Sequence, residues 1–398
     1  MKTSNRVLEL AIVYLMGLAQ GLALVVFPAA ANIFTSTEFH QLSSSEYGSL
    51  FLPMIAGAIA TASLGGWLAR RWGLKPVFLS GLVLNLAAML ALASSQQLIG
   101  SHDAAYGALL AAMTALGAGF GASVTVLNLY ARGYFPARAE TALTALHALL
   151  GTGTALAPLL LELFSAGGRW WLFPLAIAVL LGGLGLAALG TALAPAAPAP
   201  SAAIETAGAR PAAAGLSSFV AAAVLYGVCE SIFGNWGTIY LHESKGLSTG
   251  SAALALSLFW AAVTAGRILT ALLAVRIGAR APYRAMPLLL LGTLLALPLV
   301  KGAGASLAAF ALAGLACSAF LPLSIGLATR AFSERAELLS GGMMAAYLLG
   351  FGLAAYGIGP LRELGGVSLA RIYPAAAVLA AALAALAARI TPRPLPEA

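Results

Sequence analysis

Long apolar runs separated by short polar segments dominate the chain, and this alternation predicts its secondary structure. A helix that crosses a bilayer needs roughly 20 mostly apolar residues, and charged residues, serines and Pro/Gly clusters divide the sequence into runs of this kind. We predict twelve membrane-spanning helices, at residues 9–33, 46–69, 77–99, 104–131, 141–165, 170–193, 216–241, 249–275, 285–301, 305–329, 336–361 and 368–389. The segment Pro28-Ala29-Ala30-Ala31 offers small residues for signal cleavage, but the first run is longer than a signal core and eleven spans follow it.

The composition agrees with an integral membrane protein. Of the 398 residues, 61% are hydrophobic and 9% are charged, and the mean hydropathy is +0.94, whereas a soluble protein has about half apolar and about a quarter charged residues. These values exclude a cytosolic enzyme, a disordered chain and a disulfide scaffold. Two cysteines and four scattered histidines indicate no metal site, and no Walker loop is present. We therefore expect no cofactor, no enzymatic activity and no nucleic-acid partner, despite a formal charge of +8.

Lysines and arginines are distributed unevenly between the segments that join the spans. Fifteen fall in one alternating set of segments: Lys2, Arg6, Arg70, Arg71, Lys75, Arg132, Arg138, Arg210, Arg276, Arg280, Arg284, Arg330, Arg335, Arg389 and Arg393. Five fall in the other set: Arg169, Lys245, Lys301, Arg362 and Arg371. Cytoplasmic loops are enriched in these residues, so we expect both termini in the cytoplasm and the protein in the cytoplasmic (inner) membrane.

A Pro/Ala-rich segment at residues 194–215 divides the chain into two halves of six spans, 1–193 and 216–398. We predict that this segment is a flexible cytoplasmic linker. One local repeat supports a duplication, because Leu68–Lys75 after the second span and Leu273–Arg280 after the eighth share Leu-Ala and then Arg-x-Gly-x-basic. Two six-helix halves with a substrate held between them near the midplane are a known arrangement of transporters.

The segment Gly66-Trp67-Leu68-Ala69-Arg70-Arg71-Trp72-Gly73-Leu74-Lys75 resembles the signature of the major facilitator superfamily, Gly-x-Leu-Ala-Asp-Arg-x-Gly-x-Lys/Arg. The resemblance covers essentially the whole chain and implies an all-α fold of twelve transmembrane helices in two pseudo-symmetric halves. Arg70 stands where the family has an aspartate that helps latch the two halves together. The resemblance therefore suggests a charge-swapped latch of Arg70 and Arg71 with Glu334 or Glu337, and a merely solvated loop is the alternative.

Three further segments resemble the fucose permease branch of sugar–proton symporters: Asn128-Leu129-Tyr130 with Phe135-Pro136, Gly153–Pro158, and Tyr226–Ser231 followed by Trp236. The resemblance implies that Asn128, His147 and Glu230 face the central cavity. Two protonatable groups of that branch are missing, because its acidic positions in helices 1 and 4 correspond to Leu24 and Val124. Either the coupling acid has moved or the substrate and mechanism differ.

Ionisable residues within a span are expensive in a bilayer and mark pathways or proton relays. Glu230 lies deep in the seventh span, so we expect it to be the main proton-coupling residue, with a structural acid as the alternative. His147, in the fifth span, is a second proton-relay candidate or a packing histidine. Arg267, in the eighth span, pairs with a carboxylate, holds an anionic substrate, or snorkels to the interface.

Polar neighbours complete the predicted substrate site. Asn235 and Trp236 lie beside Gly234 and Gly237, which we expect to interrupt the helix and to open it to a cavity. A gate and simple helix packing are the alternatives for this segment. An amide and an aromatic face suit a sugar or another polar organic solute. Gln20, in the first span, is a further pocket candidate because helix 1 lines the cavity in the resembled superfamily. The alternative is that Gln20, Asn32, Asn85 and Asn128 satisfy one another by hydrogen bonds across helices. The predicted substrate-binding set is therefore Gln20, Asn128, Asn235, Trp236 and Arg267.

Together these features predict a monomeric secondary active transporter that works by alternating access, with protons, a small-molecule substrate and the lipid bilayer as its partners. We expect proton-coupled uptake of a sugar-like or other small polar solute. Export by a drug–proton or metabolite–proton antiporter is the first alternative. A non-transporting membrane sensor built on the same fold is the second alternative.

Overall fold

A computed structural model describes residues 2–195, 215–332 and 336–390, without the side chains of residues 2–5, 275 and 336–338. Within these ranges the secondary structure is helical and contains no strands. Twelve segments of the described chain are long and apolar enough to cross a membrane, and each overlaps one predicted span, so the predicted all-α twelve-span fold is confirmed. Most of the predicted linker at residues 194–215 lies outside the described residues.

The first compact unit comprises Met1–Ala202. Its described α-helices are α1 (Lys2–Ala29), α2 (Ala31–Thr35), α3 (Ser44–Ser49), α4 (Phe51–Trp72), α5 (Leu74–Ser94), α6 (His102–Tyr134), α7 (Ala139–Ser165) and α8 (Leu172–Leu189). Helices α1 and α2 together form the first span, and α3 and α4 form the second. The other four helices each account for one span.

The second compact unit comprises Ala203–Ala398. Its described α-helices are α9 (Leu216–Glu243), α10 (Thr249–Ile277), α11 (Arg280–Ala296), α12 (Ala303–Cys317), α13 (Phe320–Ala331), α14 (Ala336–Glu363), α15 (Leu369–Ala375) and α16 (Ala377–Arg389). Helices α12 and α13 together form the tenth span, and α15 and α16 form the twelfth. The remaining spans of this unit are single helices.

The same pairs of spans pack together in each unit. In the first unit the first span packs on the fifth (α1 on α7), the second on the fourth (α4 on α6), and the third on the sixth (α5 on α8). In the second unit the corresponding pairs are α9 on α14, α10 on α12, and α11 on α16. This common pairing order is what a duplicated six-helix unit produces.

Glycines allow the close helix contacts of the corresponding pairs α1–α7 and α9–α14. A Cβ atom at Gly21 would overlap the carbonyl oxygen of Leu150 on α7, and one at Gly227 would overlap that of Tyr347 on α14. Small residues at such crossings let two backbones approach closely in a membrane protein. Because Gly227 lies less than one turn before Glu230, this contact places Tyr347 of α14 beside the predicted proton-coupling residue.

The tenth span is broken between Cys317 and Phe320. Ala319 leaves the helical conformation with φ −120° and ψ 5°, and Pro322 follows in the first turn of α13. A proline has no N–H to donate to the carbonyl four residues earlier, and its ring crowds that carbonyl. Pro322 therefore frees the carbonyl oxygen of Ser318 at the break.

The predicted interruption of the seventh span at Gly234 and Gly237 is wrong. Helix α9 is continuous from Leu216 to Glu243. The two glycines instead make room for neighbouring aromatic rings, because a Cβ atom at Gly234 would lie 3.0 Å from the Trp260 ring and one at Gly237 would lie 2.7 Å from the Phe310 ring. Here the glycines serve helix packing and leave the backbone hydrogen bonds of α9 intact.

Candidate functional site

Glu230 is a carboxylate in the interior of the C-terminal half. It lies on α9 and is only 1% exposed. Neither of its carboxylate oxygens has a hydrogen-bond partner of good geometry among the described residues, although the side chains of Tyr226 and Tyr347 are close enough to interact with it. Buried polar groups are nearly always hydrogen-bonded, so this carboxylate is an exception that calls for a functional explanation.

The two backbone carbonyls at the break of the tenth span are occupied by side chains from other helices. Tyr226 donates its hydroxyl hydrogen to the carbonyl oxygen of Cys317, and Arg267 donates from Nε to the carbonyl oxygen of Ser318 at 2.9 Å. These bonds replace the intrahelical bonds that the break removes. They also commit the Tyr226 hydrogen to a carbonyl oxygen, so that Tyr347 is the hydroxyl donor that remains available to Glu230.

Arg267 is the cation of this cluster. It lies on α10 and its side chain is exposed, yet it is close enough to Glu230 to act on it electrostatically. The ion pairs found among the described residues join His102 to Glu46 and Arg362 to Glu243, so Arg267 is not paired with a described carboxylate. The structure therefore brings the two predicted residues Glu230 and Arg267 into one cluster without joining them by a salt bridge.

Asn235 and Trp236 lie further along α9 and make contacts within the C-terminal half. Asn235 donates from Nδ2 to the Ser231 hydroxyl oxygen at 2.9 Å, and Trp236 donates from Nε1 to the carbonyl oxygen of Ala355 on α14 at 3.0 Å. Both residues are almost fully buried. Their role in substrate binding stays a prediction. The Trp236 contact holds α9 against α14, whereas the Asn235 contact lies within α9.

Gln20 lies in the interior of the N-terminal half, in a network of uncharged polar side chains. Its side-chain amide is paired with that of Asn85 by two hydrogen bonds of 3.1 and 3.0 Å. Asn85 also donates to the carbonyl oxygen of Gly81 at 2.7 Å and to the Ser123 hydroxyl at 3.3 Å. Gln20, Asn85 and Ser123 are each 0% exposed. This network joins α1, α5 and α6.

The other two candidates in the N-terminal half lie on α6 and α7. Asn128 on α6 is partly buried, and its Oδ1 is buried without a hydrogen-bond partner among the described residues. His147 is exposed on α7. Their predicted roles in substrate binding and proton relay stay predictions.

The predicted latch is only partly described. Arg70 and Arg71 are exposed in the last turn of α4, and the Arg71 guanidinium lies 5.7 Å from the centre of the Trp67 ring. Glu334 lies outside the described residues, and so does the side chain of Glu337. The charge-swapped latch therefore stays a prediction.

Sequence reasoning missed a second buried carboxylate, at Glu9. This residue is 8% exposed, and its Oε2 accepts a hydrogen bond of 2.9 Å from the Tyr134 hydroxyl. Arg6, one turn earlier, donates to the backbone carbonyl oxygen of Tyr134 at 3.0 Å. Because Glu9 is the first residue of the first predicted span, its position indicated an interfacial residue, and no local pattern predicts the contact with α6.

Comparison with known proteins identifies the family. The sequence model of the Major Facilitator Superfamily matches residues 11–355. No curated protein matches the chain. Several solved structures share its fold at 13–14% sequence identity, a level that shows similarity of fold alone.

Three of these structures illustrate the similarity. The nucleoside transporter NupG superposes with a TM-score of 0.69 at 14% identity, covering 96% of this chain and 98% of that one. The D-xylose-proton symporter gives 0.69 at 14% identity, covering 95% and 96%. A POT family transporter in complex with 5-aminolevulinic acid gives 0.71 at 13% identity, covering 96% of each chain. With the family match over most of its length and twelve apolar spans, the chain belongs to the Major Facilitator Superfamily.

Proposed function

We propose that this transporter is a secondary active carrier that couples the uptake of a small polar solute to the movement of protons. Alternating access carries the solute across the cytoplasmic membrane, and the protein works as a monomer with both termini in the cytoplasm. The D-xylose-proton symporter, whose fold it shares, and the resemblance to the fucose permease branch favour a sugar-like solute.

One observation carries the proposal. Glu230 is a fully buried carboxylate whose two oxygens lack a well-formed hydrogen bond among the described residues. An unpaired carboxylate in a membrane-spanning helix is destabilising, and a structural acid would have its oxygens satisfied. A site that takes up and releases a proton during transport must instead leave its carboxylate free of permanent donors.

The remaining candidates have supporting roles in this proposal. Asn128, Asn235 and Trp236 contribute polar contacts to the solute, and His147 is the second proton-relay candidate. Gln20, which is fully buried and paired with Asn85, holds α1 against α5. Arg70 and Arg71 pair with Glu334 or Glu337 when the latch closes. These roles rest on the residue types and on the family resemblance described above.

Solute-induced proton movement is the direct test. The full chain is reconstituted into proteoliposomes that contain a pH-sensitive dye, and D-xylose, L-fucose, uridine or D-gluconate is added outside. We expect at least one of these solutes to drive protons inward in the parent protein, and the Glu230→Gln variant to show no such signal.

Glu140→Gln is the matched control, because Glu140 is an exposed acid on α7 and its loss should leave the proton signal unchanged. Solute uptake by the parent without any proton movement would contradict proton coupling. Proton movement opposite to that of the solute would show an exporter of the antiport type instead.

A further inference from the structure

When Glu230 is ionised, its negative charge balances the positive charge of Arg267 in the C-terminal site. Among the described residues of this cluster, Glu230 carries the negative charge and Arg267 the positive charge. The other titratable groups that act on Glu230 are the hydroxyls of Tyr226 and Tyr347 and the thiol of Cys317, and none of them carries a positive charge. Arg267 is therefore the only described cation available to an anion at this site.

The hydrogen bonding of Arg267 leaves its two terminal guanidinium nitrogens available to an anion. Only its Nε is engaged, with the carbonyl oxygen of Ser318 at 2.9 Å. Neither terminal guanidinium nitrogen has a hydrogen-bond partner among the described residues, and the side chain is exposed. A guanidinium fixed at Nε presents its terminal N–H groups as a fork, which matches the two oxygens of a carboxylate.

The break of the tenth span is what fixes this fork. Pro322 frees the Ser318 carbonyl, and that carbonyl holds Nε of Arg267 in place. A pre-oriented arginine loses less conformational freedom when it binds an anion than a free side chain does. Simple snorkelling to the interface would leave Nε in contact with water or lipid headgroups instead of a fully buried backbone carbonyl.

We propose that Arg267 binds the carboxylate of the transported solute, so that the substrate is a small polar monocarboxylate that crosses the membrane with one proton. This inference rests on the proposed function and narrows its substrate class.

The number of protons that move with the solute follows from the charges. A bound carboxylate neutralises Arg267, and Glu230 would then be an uncompensated buried anion unless it takes up a proton. Solute and proton therefore enter together and leave together, and the net charge moved is zero.

Matched pairs of probes test the substrate class. Each pair differs only in the replacement of a carboxylate by a hydroxymethyl group: galacturonate and galactose, gluconate and sorbitol, lactate and propane-1,2-diol. Binding to the purified full chain is measured by the shift of its thermal unfolding midpoint with probe concentration. We expect at least one carboxylate to bind and its hydroxymethyl partner to bind about tenfold more weakly or worse, because a hydrogen bond to a charged group is lost.

Substitutions on one helix test the residue. Arg267→Gln should weaken carboxylate binding by about tenfold or more, and Arg267→Lys should weaken it less, because lysine keeps the charge but loses the fork. Arg276→Gln is the matched control, since Arg276 is an exposed arginine in the last turn of the same helix. Equal binding of both members of every pair, or carboxylate binding that survives Arg267→Gln, would overturn the inference.

Transport under separate gradients distinguishes this inference from the proposed function. With the membrane potential clamped, a pH gradient alone should drive accumulation of the bound carboxylate, whereas a potential alone should not. Accumulation of the carboxylate by the potential alone would contradict the one-to-one proton balance. If only the hydroxymethyl probes accumulate under a pH gradient, proton coupling is supported and the assignment of Arg267 as the anion site is refuted. If a carboxylate binds but a pH gradient does not drive its accumulation, proton coupling is refuted and the anion site at Arg267 is supported.

Discussion

The buried polar cluster around Gln20 in the N-terminal half and the cluster around Glu230 in the C-terminal half differ in their hydrogen bonding. In the N-terminal half, Gln20, Asn85 and Ser123 form a network of uncharged side chains in which the two amides are paired twice. In the C-terminal half, Glu230 and Arg267 are ionisable residues that lie close together without forming a salt bridge, and the Glu230 oxygens lack a well-formed hydrogen bond among the described residues.

This difference separates a packing role from a transport role. A satisfied network stabilises one arrangement of α1, α5 and α6, because separating the helices would expose buried amides to an apolar environment. An unsatisfied charge lowers stability and persists where function requires it to change partners. We therefore expect substitutions in the N-terminal network to reduce stability, and substitutions at Glu230 to reduce coupling.

The largest expected loss of stability comes from Gly227→Val. A side chain at this position would collide with the Tyr347 carbonyl on α14, and we expect a loss of about 3 kcal/mol, the upper end of the usual cost of overpacking. Gly357→Val on α14 is the control, because no atom lies within 4 Å of a Cβ at Gly357. Thermal unfolding in detergent measures both variants. Equal midpoints for the two would show that the α9–α14 contact does not hold the charged cluster together.

A second prediction concerns pH and the N-terminal half. His40 lies between the first and second spans and is 2% exposed; it contacts the Ser95 hydroxyl at 2.9 Å and the rings of Phe34 and Trp170. Burial lowers the pKa of His40 from 6.5 to about 4. The unfolded chain therefore binds more protons between these values, so stability is complete above about pH 6.5 and falls as the pH drops towards 4.

The loss at pH 4 is at most about 3 kcal/mol for a pKa difference of this size. His40→Gln should flatten the dependence of the unfolding midpoint on pH, whereas His242→Gln should not. An unchanged pH dependence in His40→Gln would assign the acid sensitivity to another group.

A smaller loss of stability is expected from Asn85→Leu. It leaves the buried amide of Gln20 without its partner, and an unsatisfied buried group destabilises by about 1–3 kcal/mol. The double variant Gln20→Met with Asn85→Leu should recover part of this loss, because both polar partners are then apolar. If the double variant unfolds at the same temperature as Asn85→Leu or below it, the network does not account for the stability of this region.

The sequence predicts the spans well because their length and hydropathy are local properties. It also identifies Glu230 and Arg267, since ionisable residues inside apolar runs stand out without any structure. The role of Tyr347 depends on the approach of α14 to α9 at Gly227, which no local pattern specifies. Pro322 marks the break of the tenth span in the sequence. Gly234 and Gly237 suggested a break in the seventh span, where the helix is continuous, because glycine serves close packing as well as helix breaks.

The most direct test of the central claim compares accumulation with exchange in Glu230→Gln. This variant keeps the volume of the side chain but cannot ionise. In proteoliposomes with an inward pH gradient, it should bring the solute only to equal concentrations on both sides, while counterflow exchange of labelled solute continues. Accumulation of the solute against its gradient to the level reached by the parent protein would show that Glu230 is not the coupling residue.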